Sequence, residues 1–172
     1  KRHSSRYTQL ELYHIKYIME PICIIHDGYT ITTDKSQMQP EAIHQWLSTE
    51  SYWSKNIPFD LVKRAFDNSF CIGVLKDGQQ VGYARLISDQ TTFAYLADVY
   101  VEEVHRGKGL SKKMMEVLLD LDWVKGLRRV MLATLDAHQL YAQYGFKEIA
   151  LPERLMEINR PVIYGDNNNP CK

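Results

Sequence analysis

The sequence predicts a mixed, mostly antiparallel central sheet flanked by helices, an α/β (α+β) fold within one domain. The first observation is the order of its elements: a strand region, two helices, three strands, a helix, a strand, a helix and two strands. The second is turn chemistry, because Asp-Gly and similar pairs separate the apolar runs as in hairpins. A chain of 172 residues can bury a single core of ordinary size.

The N-terminal part of the predicted domain contains a hairpin and two helices. Residues 23–25 and 29–33 are short runs rich in strand-forming residues, separated by a glycine-containing turn, which predicts a first hairpin or a kinked edge strand. Residues 39–47 and 59–66 place apolar side chains on one side at helical spacing, and each begins beside a proline. We therefore expect two short helices between the first and second strand regions.

The middle of the chain predicts three antiparallel strands. Residues 70–75 and 80–87 flank Asp77-Gly78, and this pair supplies the positive φ angles of a tight hairpin turn. Another polar turn leads into an apolar run at 93–101. The three segments therefore form consecutive strands of one sheet.

The remaining elements complete the predicted sheet. Residues 110–121 carry an apolar stripe at helical spacing, and 129–134 form a largely apolar run typical of a buried strand. A short helix is predicted at 137–144, where Gly145 stops it. Residues 146–149 and 155–158 then predict a final antiparallel pair.

Composition excludes several classes of function. Acidic and basic residues balance at 21 each, so no global field draws the chain to nucleic acid or to an anionic membrane. No apolar run approaches the length of a membrane span, and we expect a soluble, cytoplasmic protein. Cys23, Cys71 and Cys171 lack the spacing of a disulfide framework or a zinc site, so no metal is expected. Composition leaves the oligomeric state open, a homodimer included.

The two ends of the chain differ from its middle. Residues 1–18 have a polar opening, and we expect a leader that is non-native or optional, with Met19 as the natural start. Residues 19–164 form the predicted domain. The segment 165–172 has the turn-forming composition of a flexible tail.

A predicted strand at 99–101 is followed by a glycine-bearing basic turn and a helix start, an order that builds an anion site. Gly107 and Gly109 let the backbone approach a ligand, and the N–H groups of the next helix point at the turn. The turn and the first helical positions carry four basic residues: Arg106, Lys108, Lys112 and Lys113. A pyrophosphate would fit there.

Two common nucleotide motifs do not match this turn. A mononucleotide loop needs a wider glycine spacing, and a dinucleotide fingerprint needs a third glycine where the chain has Lys112. A plain strand-to-helix turn with a solvated basic face is the alternative that this segment alone leaves open.

Over about residues 22–160 the chain resembles the GCN5-related N-acetyltransferase (GNAT) superfamily. Residues 104–109, Val-His-Arg-Gly-Lys-Gly, resemble the family loop Gln/Arg-x-x-Gly-x-Gly/Ala, although Val104 departs from its first position. Residues 134–146 resemble the family's Asn-x-x-Ala-x-x-Leu-Tyr-x-x-x-Gly-Phe, with Thr134 in place of Asn. The order of both blocks and the helix and strand between them also match.

The resemblance implies the GNAT fold and an acetyl-CoA-dependent N-acetyltransferase that transfers an acetyl group directly to an amine in a ternary complex, without a metal. It implies that strands around 99–101 and 129–134 splay apart and that pantetheine pairs with the exposed backbone between them. The implied cofactor-binding residues are Val99, Val101, Arg106, Gly107, Lys108, Gly109, Leu110, Ser111 and Tyr141.

Two residues are the catalytic candidates. Tyr141 matches the family position that donates a proton to the departing thiolate, and an ordinary phenol is protonated at neutral pH. Asp98 is a carboxylate in an otherwise apolar strand, so it is either the base that deprotonates the amine or the partner of Arg85 in a structural ion pair. His138 is a second base candidate, or merely a hydrogen-bonding residue at a helix start.

The acceptor is a small-molecule or peptide amine that the sequence does not name. Candidate lining residues are Tyr52, Trp53, Phe66, Tyr83 and Arg85. The aromatic rings favour a cationic amine, whereas Arg85 favours a carboxylate-bearing acceptor. Core packing of Tyr52 and Trp53 is an equal alternative. A non-catalytic acyl-CoA-binding sensor or interaction domain is the competing function.

Overall fold

The computed structural model describes residues 20–160 and 163–165, and one six-stranded sheet organises them. The strands follow chain order: β1 (Cys23–His26), β2 (Tyr29–Thr32), β3 (Phe70–Lys76), β4 (Gln79–Ser88), β5 (Phe93–Val101) and β6 (Arg129–Met131). Neighbouring strands are antiparallel except β5 and β6, which are parallel. The predicted fold class is confirmed.

Local sequence explains the tight turns of the β1–β2 and β3–β4 hairpins. Asp77 and Gly78 have φ angles of 50° and 79°, and both values are positive as a two-residue hairpin turn requires. The β1–β2 turn repeats the pattern at Asp27 and Gly28, with φ angles of 49° and 75°. The alternative of a kinked first edge strand is therefore replaced by a regular hairpin.

Helices cover both faces of the sheet. On one face lie α1 (Pro40–Thr49) and α2 (Phe59–Asp67), and on the other lies α3 (Leu110–Asp120), followed by α4 (Asp122–Lys125) and α5 (His138–Ala142). Strand alternation separates two cores: Cys71 packs with the α1 and α2 side, while its neighbour Ile72 packs with the α3 side. Short 3-10 turns lie at Lys35–Gln37, Glu103–His105 and Pro152–Arg154.

The prediction of a final antiparallel strand pair is wrong. Residues 146–149 and 155–158 contain no strand in the described structure, and β6 ends at Met131 instead of continuing to 134. Met156 is 100% exposed and Ile158 is 81% exposed, so the second of these segments has no buried face. A strand depends on its partner more than on its own propensity, and the described chain supplies neither segment with one.

The predicted leader, residues 1–18, lies outside the described residues, as does most of the predicted tail. Within the described ranges, no helix has the length and apolar character needed to cross a membrane.

Candidate functional site

The site begins where β5 and β6 diverge. Their parallel pairing consists of Phe93 with Arg129, Ala94 with Val130 and Tyr95 with Met131. β5 then continues to Val101, whereas β6 has ended, so the same edge of β5 faces an opening. A bound chain of suitable hydrogen-bonding groups could pair with that edge as an added strand.

A β-bulge lies on the opposite edge of β5 at the same level. Arg85 pairs with Ala97 and Tyr83 pairs with Tyr100, so two residues of β5 oppose one residue of β4. Asp98 is one of the two and has a φ of 54°, a left-handed conformation that is uncommon outside glycine. The bulge re-aims the Asp98 side chain, a typical function of bulges beside binding sites.

A cavity of about 570 Å³ opens at this divergence. Its walls come from three parts of the chain: the segment 52–54, strands β4 and β5, and the segment 132–137 with Tyr141 of α5. Its volume lies in the range of sites that bind small organic molecules. The lining residues that matter below are Tyr52, Trp53, Arg85, Tyr95, Asp98, Val99, Asp136 and Tyr141.

Tyr141 lies in the wall of this cavity with its ring 8% exposed. The ring packs edge to face with Phe146 at a centroid distance of 5.9 Å. Burial, reinforced by Asp136 and Tyr52, raises the pKa of Tyr141 to about 12. Its hydroxyl is therefore protonated at neutral pH, and no hydrogen bond joins it to another residue within 20–160 or 163–165.

Asp98 is held by two donors. Arg85 Nε donates to Oδ2 at 2.6 Å, and Trp53 Nε1 donates to Oδ1 at 3.1 Å. The Asp98 and Arg85 side chains are only 11% and 16% exposed, so their charges interact with little solvent between them. Arg85 also donates from Nη1 to Ser69 Oγ at 3.1 Å. The ion pair considered from the sequence is present, and the carboxylate still lines the cavity.

The glycine turn has the backbone geometry of an anion cradle. Gly107 and Gly109 have φ angles of 76° and 73°, which favour glycine. The hydrogen bond from Lys113 N to Gly109 O, at 2.9 Å, opens α3. The N–H groups of residues 110–112 precede the first repeating bonds of the helix and, like those of any helix N-terminus, have no intrahelical partner. An anion placed there would also meet the positive end of the helix dipole.

The basic side chains of the turn are partly anchored to the rest of the protein. Arg106 Nε donates to Val101 O at 2.9 Å, and Lys108 Nζ donates to the hydroxyl of Tyr29 at 2.7 Å. That hydroxyl is also 3.0 Å from Nδ1 of His105. The first hairpin therefore braces the turn, and the backbone is the main candidate for ligand contacts.

Comparisons with known proteins agree with this geometry. The profile of the Acetyltransferase (GNAT) family matches residues 40–146, which is more than half of the chain. The chain belongs to the GNAT acetyltransferase family.

Two relatives support the family assignment. A Gibberella zeae protein assigned as an acetyltransferase is 32% identical over 135 residues, or 67% of this chain and 76% of that protein. A crystal structure from Xanthomonas campestris pv. campestris, assigned to the GNAT family, is 46% identical with a TM-score of 0.79 and covers 83% of this chain and 100% of the other. The structure of a Clostridium acetobutylicum protein with acetyl-CoA is 17% identical with a TM-score of 0.57, covering 76% and 94%; it supports the fold alone.

The departure from the GNAT pattern at Thr134 has a local structural explanation. Thr134 Oγ1 accepts a hydrogen bond from Ala137 N at 3.0 Å and so supports the turn that leads into α5. A hydroxyl at this position can satisfy the same backbone donor as an asparagine side chain. The conformation that carries Tyr141 therefore does not need the usual residue.

The structure brings together most of the predicted site residues. Tyr52, Trp53 and Arg85 line the cavity with Asp98, Val99 and Tyr141. In the cradle, Arg106 to Gly109 form the turn, Leu110 anchors α3 in the core and Ser111 is half-buried in its first turn. Val101 is buried at the end of β5. Trp53 is 41% exposed and Tyr52 is 64% exposed, so core packing does not account for them.

Tyr83 requires a correction, because it does not line this cavity. It is 1% exposed and packs with Phe66 beneath α2, and its hydroxyl lies 3.0 Å from Cys71 Sγ. Tyr83 and Arg85 are two residues apart and share a face of β4. Phe66 of α2 stacks on Tyr83 and buries it, whereas Arg85 lies further along the strand and reaches Asp98 and the cavity. His138 is exposed and lines a different cavity, of about 960 Å³, beside Tyr141.

Sequence reasoning missed several lining residues, among them Tyr95 and Asp136. In a regular strand Tyr95 and Asp98 would face opposite sides, but both line the cavity once the bulge shifts the strand. Asp136 belongs to the second GNAT motif block, and its position between Thr134 and Ala137 was the available signal. No group of three or more His, Cys, Asp or Glu side chains in the described ranges is arranged to hold a metal ion.

Proposed function

We propose that this GNAT protein transfers the acetyl group of acetyl-CoA to a primary amine, directly and within a ternary complex. The observation that carries the proposal is the position of Tyr141, a protonated and largely buried tyrosine in the wall of the cavity where β5 and β6 diverge. A plain core tyrosine would not need to face a cavity of this size.

The residues present fit acetyl-CoA as the acyl donor. The backbone of Gly107 to Ser111 offers N–H donors to the pyrophosphate, and the exposed edge of β5 near Val99 and Val101 offers pairing groups to pantetheine. When bound, acetyl-CoA supplies a thioester whose carbonyl carbon accepts the amine. The hydrophobic anchor Leu110 fixes the start of α3 and thereby the direction of its N–H groups.

Tyr141 is the proposed general acid. As the amine nitrogen bonds to the acetyl carbon and the C–S bond breaks, the departing thiolate requires a proton. The Tyr141 phenol can donate it because burial keeps that group protonated. The Tyr141 oxygen then regains a proton from the nitrogen of the attacking amine, so the phenol is again protonated at the end of the reaction.

Asp98 is the proposed acceptor of the other proton. A primary ammonium loses one proton before it attacks, and the Asp98 carboxylate lines the cavity with oxygens that can still accept a hydrogen bond beyond those from Arg85 and Trp53. That proton passes to solvent. The sum is one ammonium and one thioester converted to one amide, one thiol and one released proton.

Release of free thiol from acetyl-CoA is the test. The purified chain is mixed with acetyl-CoA and a panel of polyamines, aminoglycosides, amino acids, arylamines and lysine peptides, and mass spectrometry follows the acetylated product. Thiol release that depends on an amine, with one acetyl group added to it, supports the proposal. CoA-induced thermal stabilisation without product from any amine would contradict it.

A non-catalytic acyl-CoA-binding role is the second candidate. It is favoured by the engagement of Asp98 with Arg85 and Trp53, because each oxygen of this carboxylate already accepts a structural hydrogen bond. The two functions differ in one measurement: only an enzyme has an amine-dependent turnover for Tyr141→Phe to reduce.

A further inference from the structure

The charged side chains that line the cavity at the β5–β6 divergence give it a net negative charge. Arg85, Asp98 and Asp136 are the charged side chains among its described lining residues. Arg85 is already bound to Asp98 at 2.6 Å and to Ser69 at 3.1 Å. Those two charges offset one another, and Asp136 remains as an exposed carboxylate beside Tyr141.

Aromatic and apolar surface forms the rest of the wall. Tyr52 and Trp53 pack edge to face at 4.9 Å, and Tyr95 lies on β5 across from them. Trp53 is itself braced by Trp46 at 5.7 Å and by its hydrogen bond to Asp98. Such rings bind an ammonium group through their faces and an apolar body through their area.

From these contacts we infer that the acceptor is a compact primary ammonium with an aromatic or alkyl body and no acidic group. This inference rests on the proposed function and specifies the substrate class of that site. The ammonium is attracted by Asp98 and Asp136, and the body lies against Tyr52, Trp53 and Tyr95. An acceptor carboxylate or phosphate would find no uncommitted cation among the described lining residues, because Arg85 is paired.

The cavity also limits the size of the acceptor. Its volume of about 570 Å³ must hold the amine and the acetyl group together. Walls from three separate segments enclose that space, and its dimensions suit a small organic amine. This geometry favours a free small molecule over a lysine side chain carried by a folded protein.

A matched pair of amines tests the charge requirement. The compounds 4-(2-aminoethyl)benzamide and 4-(2-aminoethyl)benzoate have the same shape and nearly the same amine, and they differ in one distal negative charge. We expect kcat/KM for the benzamide to exceed that for the benzoate by at least about tenfold, because the carboxylate would be desolvated without a partner. Unsubstituted phenethylamine should also be acetylated.

The variant Asp136→Lys links the selectivity to this residue. It should lower the ratio of kcat/KM for the benzamide to kcat/KM for the benzoate several-fold, which is the size of effect expected for one partly exposed charge. Asp120→Lys is the matched control, because Asp120 is an exposed carboxylate that lines neither the cavity nor the glycine turn. The control should leave the ratio unchanged, and thermal melting verifies that both variants fold.

Each alternative outcome has a separate meaning. Equal or faster acetylation of the benzoate overturns the inference and leaves the proposed acetyl transfer intact. A lysine peptide preferred over phenethylamine overturns the compact acceptor. Absence of turnover with every amine, the benzoate and the peptide included, overturns the proposed function itself.

Discussion

Replacing Tyr141 by phenylalanine removes one hydroxyl and leaves the ring in its packing. The ring is 8% exposed and contacts Phe146, and both features persist in the variant. No hydrogen bond to another described residue is lost, so the free energy of unfolding should change by less than about 1 kcal/mol. The substitution is therefore a test of chemistry with little effect on folding.

The expected loss lies in the rate. A positioned general acid contributes about 10²- to 10⁴-fold, which corresponds to roughly 3–5 kcal/mol of the activation barrier. We expect kcat of Tyr141→Phe to fall by that factor, while acetyl-CoA still stabilises the protein against thermal unfolding. Steady-state thiol release with the best amine measures the first quantity, and thermal melting with acetyl-CoA measures the second.

Tyr100→Phe is the matched control. Tyr100 is also a buried tyrosine, at 4% exposure, but it stacks on Trp46 and does not line the cavity. Its variant should retain kcat within about twofold, since it removes a hydroxyl that lies outside the cavity. If Tyr141→Phe retained the full rate, or if both variants lost it equally, the assignment of Tyr141 as the acid would be refuted.

Three further predictions concern the turn, the ion pair and pH. Gly107→Ala and Gly78→Ala each place a side chain at a similar positive φ with open space around it. Calorimetry should therefore show that each variant loses about 1–2 kcal/mol of stability. Only Gly107→Ala should also weaken CoA binding, and equal CoA affinities of the two variants would contradict the cradle. Asp98→Asn leaves the Arg85 charge without its partner, so denaturant unfolding should show a loss of about 1–3 kcal/mol. Its kcat should also fall by about 10²-fold or more, and an unchanged kcat would rule out a proton-accepting role. Burial raises the pKa of Tyr141 to about 12, so as pH rises this phenol ionises in the unfolded chain before it does in the folded protein. Its contribution to the free energy of unfolding is fully present below about pH 10 and is lost towards pH 12. Melting curves should show a smaller loss of stability over this range for Tyr141→Phe, and an equal loss would mean that this group does not contribute.

Sequence patterns were sufficient where the information is local. Turn pairs such as Asp77-Gly78 encode their own backbone angles, and apolar spacing placed α1, α2 and α3 within a few residues of their observed ends. The anion turn was visible for the same reason, since glycine positions and the following helix start are adjacent in sequence. These features require no knowledge of distant contacts.

Features that depend on a partner were not predictable in the same way. The segments 146–149 and 155–158 have strand-like composition but no described neighbour. The bulge at Asp98 comes from the pairing of β5 with β4, and it decides which side chains reach the cavity. Tyr83 shares a face of β4 with Arg85, and the sequence does not show that Phe66 of α2 covers it.

The sheet order has a consequence for how the protein folds. The described strands lie side by side in chain order, and the pairs β1–β2 and β3–β4 can form locally through the tight turns at Asp27-Gly28 and Asp77-Gly78. The parallel β5–β6 contact instead waits for α3 and α4 to be placed between its strands. We expect pulse-labelled amide hydrogens of β3 and β4 to be protected before those of β6. The cavity between β5 and the end of β6 would then be the last part of the molecule to assemble, and the first to open under mild denaturant.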